Sequence, residues 1–381
     1  MKPMIPASAI VGVGRTPQGT LPGSTALGLQ IAAAKAALAD SGLDKSEIDG
    51  LLTQPGTTAP EGIHNYLRLG EALGLSLRYG GSFAMGGATC LASLQMASHA
   101  VASGAARAVL CVFGDAARTG GSKFDRAAGW GDSWGIWGMF SAAANSAMTA
   151  RRHMHEFGTE SRHLGEVAIA CRRHASLNPD AVMRTPMTLE QHLASRLIVD
   201  PLRLYDCCLI SDGGVAFIVT TRERARDLRQ RPVRVMGAAQ AHSPETIGNP
   251  QWWYMPHQRV AIEQVYAQAG VSPADIDFGQ IYDNFTISVI IWLEQAGFCG
   301  RGEGGPFVEG GRIQLGGELP VNTAGGNLSE SYMQGWLHLV EAVRQLRGEC
   351  GARQVADAEI GLVTGRGMTL NCSAAAVLGR E

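Results

Sequence analysis

Apolar and polar positions along this chain fall into two series that share one order. Residues 36–49 read as the end of an amphipathic helix stopped at Gly42, a short acidic turn, and an Ile48-Asp49 pair that leads into a strand. Residues 265–277 repeat the pattern, with Gly270 as the stop, a turn through Ser272 and Asp275, and Ile276-Asp277 before the next strand. A second helix and strand follow each copy: 90–103 with 108–113, and 336–346 with 360–364. Two amphipathic helices can match by chance, but here the turn chemistry matches as well as the period, which points to duplication.

Halves that each alternate strand and helix stack most simply as two α/β units with helices sandwiched between sheets. The segment from Cys90 lacks a wide polar face, as a helix buried between two layers should. From about Asp115 to Tyr205 the repeat is interrupted by a stretch rich in Trp, Met, His and Gly, which reads as a cap inserted over the site. The expected organisation is an N-terminal half at 1–230, containing a cap at about 115–205, and a C-terminal half at 231–381.

Composition narrows the function classes. With 381 residues, 45% of them hydrophobic, the chain has material for one large or two fused cores. A formal charge of -2 suits neither nucleic acid nor an anionic membrane surface. No stretch approaches the roughly 20 apolar residues of a membrane span, and the first residues lack a signal-peptide pattern, so a cytoplasmic protein is expected. The eight cysteines, at 90, 111, 171, 207, 208, 299, 350 and 372, show no Cys-x-x-Cys and no regular framework. His153, His155, His163 and His174 lack metal-ligand spacing with carboxylates, and no metal is expected.

Several segments, weak singly, are specific together: residues 151–159, 175–181 and 195–203, Asp212-Gly213-Gly214, Tyr282-Asp283-Asn284-Phe285, Asn322-Thr323-Ala324-Gly325-Gly326 and Gly365-Arg366-Gly367. Through them nearly the whole chain resembles the thiolase superfamily, in the branch of sterol-carrier-protein thiolases and lipid-transfer-protein thiolase-like aldolases. The resemblance implies the α/β thiolase fold, a five-layered αβαβα sandwich of duplicated halves, in a homodimer.

Four departures from the thiolase pattern coincide. Gly87 stands in the turn before the alanine-rich helix where the nucleophilic cysteine belongs; Tyr282 opens the Asn/His-Glu/Asp-x-Phe motif; Tyr332 falls in the Gly-His-Pro motif; and no acid/base cysteine lies near Val363-Thr364-Gly365. Tyrosines at these two positions resemble those of the aldolases of bacterial steroid side-chain degradation. That likeness implies retro-aldol cleavage of a β-hydroxyacyl-CoA to a ketone or aldehyde plus a shorter acyl-CoA. Such a cleavage needs a base, an acid and an oxyanion hole, and neither an acyl-enzyme nor a bound cofactor. The coenzyme A thioester is the substrate.

Tyr282 and Tyr332 are assigned jointly to proton transfer, and Gly87, Asn322, Gly365 and Gly367 to the thioester or enolate oxygen, as backbone donors and loop anchor. A phenol ionises near 10 in water, so a base at neutral pH requires a stabilised anion or a relay. Two alternatives compete: Cys90 as the thiolate of a thiolase-like acyltransferase, and a non-catalytic acyl-CoA or lipid-binding scaffold. Trp130, Trp134 and Trp137, and the run Trp252-Trp253-Tyr254-Met255, are candidates for an acyl pocket or an interface. By analogy with related aldolases, a small zinc-ribbon/OB-fold protein is an expected partner.

Overall fold

The computed structural model describes residues 8–121, 141–243, 251–367 and 371–381. In the first half, strand β1 (Ser8–Arg15) leads to helix α1 (Ala26–Ser41), β2 (Gly50–Gln54), α2 (Asn65–Leu73), β3 (Tyr79–Ser82), α3 (Thr89–Ala102) and β4 (Ala108–Ala116). The insertion contributes α4 (Ala142–Phe157), α5 (Ser161–Ser176), α6 (Leu189–Ala194) and a small ribbon of β5 (Leu197–Val199) and β6 (Leu202–Arg203), before β7 (Asp212–Thr221) completes the half. The second half runs β8 (Val233–His242), α7 (His257–Ala269), β9 (Phe278–Gln280), α8 (Thr286–Gln295), α9 (Trp336–Arg347), β10 (Ile360–Gly367) and β11 (Cys372–Arg380).

Strand order is β3-β2-β4-β7-β1-β8-β11-β10-β9. Read outward from the central β1–β8 pair, each half presents the same sequence of partners: β1-β7-β4-β2 on one side and β8-β11-β10-β9 on the other. The parallel and antiparallel pairings also correspond. The counterpart of β3 is reduced to one parallel bridge between Gly279 and Val321. Among the described residues the sheets of the two halves are joined by two antiparallel pairs, Ala9 with Arg234 and Ile10 with Val233, so the two sheets that the sequence stacks separately touch at their edges.

Local chemistry explains the repeat. Asp49 accepts from the N–H groups of Arg107 and Ala108 at the start of β4, and Asp277 accepts from those of Glu359 and Ile360 at the start of β10. Each therefore ties the end of its turn to the neighbouring strand, which is why an Ile-Asp pair marks both copies. Helices α1 and α7 stop at Gly42 and Gly270, both left-handed.

Three apolar clusters fill the spaces between five layers. α1 and α2 cover the outer face of the first sheet through Ala33, Ala37, Leu51 and Leu69. α3 and α9 lie between the sheets, where Leu94, Phe113, Phe217 and Trp336 pack together. α7, α8 and the insertion cover the second sheet through Val265, Ile290, Leu164 and Trp253. Among the described residues no helix is long and apolar enough to cross a membrane.

Candidate active site

Two turns and one strand end meet where the halves join. The turn before α3 is held by Thr89, whose hydroxyl accepts from the Met85 N–H at 2.7 Å and donates to the Gly86 carbonyl at 2.7 Å. Gly86 is left-handed at φ 55. The next residue, Gly87, is buried, and a Cβ placed on it would lie 2.1 Å from the hydroxyl of Tyr282. The phenol therefore occupies the space in which a side chain at 87 would begin, so a cysteine there and this tyrosine are sterically exclusive.

Tyr282 lies just beyond β9 and is 1% exposed. Its N–H donates to Thr364 Oγ1 of β10 at 2.9 Å. Asn322, left-handed at φ 55, clamps the preceding residue through both ends of its amide: Oδ1 accepts from Ile281 N–H at 2.7 Å and Nδ2 donates to the Ile281 carbonyl at 2.8 Å. Beyond it, Tyr332 is partly exposed, and its hydroxyl lies 3.4 Å from that of Tyr282. The turn carrying Tyr332 is fixed by Gln54, which donates to Gln334 Oε1 and accepts from Trp336 Nε1, each at 2.7 Å.

Gly365 and Gly367 bring β10 against the first turn. A Cβ on Gly365 would lie 2.6 Å from the Gly87 carbonyl oxygen, and one on Gly367 would meet Met85 O. The structure thus gathers Gly87, Tyr282, Tyr332, Gly365 and Gly367 in one place. Asn322 adjoins it, with its amide engaged by Ile281, so in this structure it braces the segment that carries Tyr282, as a loop anchor does.

Burial pushes both phenols above their ordinary range. A hydrogen bond with Tyr332 and, less strongly, the charge of Arg366 act the other way on Tyr282. Asp283 is buried, accepts from the N–H groups of Asn327 and Leu328, and faces His338 Nε2 at 3.0 Å, so it organises the neighbouring loop. From the insertion, α5 braces the same loops: Arg172 Nε donates to Ser329 Oγ, and His174 Nδ1 faces the Asn322 carbonyl.

Residues 239–380 match the thiolase C-terminal domain-like family. Over 375 residues the chain is 41% identical to 17-hydroxy-3-oxo-4-pregnene-20-carboxyl-CoA lyase of Mycobacterium tuberculosis, an alignment covering 94% of this chain and 95% of that one. The chain belongs to the thiolase-like aldolases. It is also 39% identical over 361 residues to a steroid side-chain-cleaving aldolase of Thermomonospora curvata, covering 90% of each. The solved Ltp2-ChsH2(DUF35) aldolase superposes with a TM-score of 0.90 at 37% identity over 98% of both chains.

In this thiolase-like aldolase Cys90 sits where a nucleophilic thiolate is disfavoured. It is 1% exposed, packs in the middle layer near Cys111, and burial pushes its thiol well above the ordinary range. The acyltransferase alternative is disfavoured with it. Trp253, Tyr254 and Met255 are buried in the outer core of the second half, where Tyr254 donates to Glu294 at 2.6 Å. Trp130, Trp134 and Trp137 lie outside the described residues. Sequence reading missed Gln54, whose role depends on a partner in the other half, and the side chain of Arg366, treated only as part of a backbone loop.

Proposed function

We propose that the tyrosine pair carries out retro-aldol cleavage of a β-hydroxyacyl-CoA without a covalent intermediate. The observation that carries this reading is the phenol of Tyr282 standing in the side-chain space of Gly87 within reach of Tyr332. One phenol, ionised, takes the proton of the β-hydroxyl. The Cα–Cβ bond then breaks, its electrons passing into a thioester enolate while a carbonyl forms at Cβ. A phenol returns a proton to Cα, releasing the shorter acyl-CoA. Backbone N–H groups at Gly87 and around Gly365 and Gly367 are suited to the enolate oxygen, since bare backbone approaches closely there.

The names of the relatives favour a steroid side chain as the acyl group. The solved relative, an Ltp2-ChsH2(DUF35) aldolase, pairs two proteins in its name and so favours a partner here, which we take to be a zinc-ribbon/OB-fold chain. We also take the enzyme to be a cytoplasmic homodimer, divided at about 230/231 with its cap at about 115–205. Eight unpaired cysteines suit a reducing compartment, and β3 leaves a sheet edge open for a second copy.

The test is turnover of 17-hydroxy-3-oxo-4-pregnene-20-carboxyl-CoA by the protein co-purified with its partner. Tyr282→Phe and Tyr332→Phe should each lower kcat by about 10²–10⁴, and Cys90→Ala should stay within a few-fold of the parent. Retention of near-parental rates by both phenylalanine variants would sink the assignment.

A further inference from the structure

Arg366 is a buried cation that no carboxylate among the described residues neutralises. It lies on β10 between Gly365 and Gly367 and is 4% exposed. Its guanidinium donates to neutral acceptors: Asn284 Oδ1 at 3.0 Å, Ser146 Oγ at 3.3 Å and Met255 Sδ at 3.5 Å. Adjacent Asp283 spends its oxygens on the Asn327 and Leu328 N–H groups, Cys171 and His338. A desolvated guanidinium without a counter-charge weakens folding, so its presence asks for a negative charge that arises in function.

The strand geometry says where that charge is. Thr364 and Arg366 are two apart on β10 and project to the same face. Thr364 holds the N–H of Tyr282, and Arg366 holds the side chain of Asn284, two residues further on. The guanidinium is thus held on the segment that bears the phenol, two residues along from Tyr282. Of the other groups facing this spot, His257 on α7 is buried with both ring nitrogens unpartnered and is lowered to about 4 by burial, His242 and Arg366, so it is neutral at pH 7. Burial pushes the Cys208 thiol well up, and His338 on α9, its ring centroid 6.3 Å from that of Tyr282, turns Nε2 toward Asp283. Burial lowers Arg366 itself only to about 10, which leaves it charged at neutral pH.

We propose that Arg366 is a positioning residue of the reaction, its guanidinium stabilising the negative charge that the Tyr282–Tyr332 pair carries once one phenol has lost its proton. The inference rests on the assignment of proton transfer to that pair. It answers how a phenol buried from water acts as a base near neutrality: a fixed cation takes the place of the lost hydration. The pair titrates as a unit, so the effect is read on its apparent pKa.

Arg366→Gln and Arg366→Lys in the full complex test this. For Arg366→Gln the rise of kcat with pH should move at least one unit toward alkaline pH, a loss of about tenfold per unit on the acid side. Arg366→Lys should recover much of the shift. The melting temperature of Arg366→Gln should hold or rise, because an uncompensated buried charge has gone. Phenolate absorbance titrated without substrate should shift in the same direction, and this readout stands whether or not the phenols prove catalytic. An unchanged apparent pKa in both titrations, or failure of Arg366→Gln to fold, would assign Arg366 to structure and overturn the proposal.

Discussion

The two halves of the molecule make the same crossing with different chemistry. Gln54 and Tyr282 stand the same number of residues beyond the Ile48-Asp49 and Ile276-Asp277 pairs, Gln54 at the end of β2 and Tyr282 two residues past the end of β9. Each reaches over to the turn before the buried helix of the other half: Gln54 to Gln334 and Trp336, Tyr282 to Gly87. Gln334 and Gly87 are themselves equivalent, both two residues ahead of their helices. In the first crossing a neutral amide meets a side chain, and both ends of the Gln54 amide are satisfied. In the second, the receiving residue has no side chain, so an aromatic ring enters and leaves its hydroxyl beside a second phenol. Duplication supplies two equivalent crossings, and only one of them carries ionisable hydroxyls.

The comparison breaks most directly at Gly87. Its backbone is not left-handed, so alanine is conformationally allowed there; what it meets is Tyr282 at 2.1 Å. Gly87→Ala should therefore displace the phenol, lowering kcat by about 10²-fold or more and stability by about 1–3 kcal/mol. In a Tyr282→Ala background, itself less stable because a buried ring is lost, adding Gly87→Ala should cost little further stability, and activity should be absent throughout. Equal melting temperatures for the parent and Gly87→Ala would mean that the ring does not occupy that space.

The other crossing should respond in the opposite sense. Gln54→Leu strands the Trp336 indole N–H and the Gln334 carbonyl in the core, each worth about 1–3 kcal/mol when unsatisfied. Thermal or urea unfolding should report that loss, while kcat should fall less than for Tyr282→Phe, because the turn carrying Tyr332 is loosened but no titrating group has been removed. A loss of turnover as deep as that of Tyr282→Phe, with stability unaltered, would erase the distinction between the crossings.

Much of the architecture was legible because it is written in local turn chemistry. Gly42 and Gly270 stop their helices, Asp49 and Asp277 tie strand to turn, and these residues identify the halves without any long-range information. Gly87 and Tyr332 could be placed only by motif spacing, since neither a bare turn nor a lone tyrosine in the Ser331-Tyr332-Met333 run carries its own meaning. Gln54 and Arg366 were not legible: one is defined by partners in the other half, the other by the absence of a carboxylate among groups drawn from α4, Met255 and Asn284. Such absences depend on three-dimensional packing, and no periodicity announces them. The Gly-Arg-Gly run by itself points to backbone donors, whereas the flanking glycines also seat β10 against the Met85–Gly87 turn and so place the guanidinium.

The smallest expected effect concerns the paired aspartates, which test whether the halves are energetically equivalent outside the site. Asp49→Ala removes an acceptor from the N–H groups of Arg107 and Ala108; Asp277→Ala removes one from those of Glu359 and Ile360. Asp49 also faces the Arg107 and Arg78 side chains, but these are 65% and 63% exposed, and such pairs contribute little. Each variant should thus lose about 1–3 kcal/mol of stability, by similar amounts, with unchanged kcat. Paired urea melts of the two variants decide it. A much larger loss for Asp277→Ala would show that the half carrying the tyrosine depends more heavily on its turn, as would follow if that turn also holds the strand end from which Tyr282 reaches Gly87.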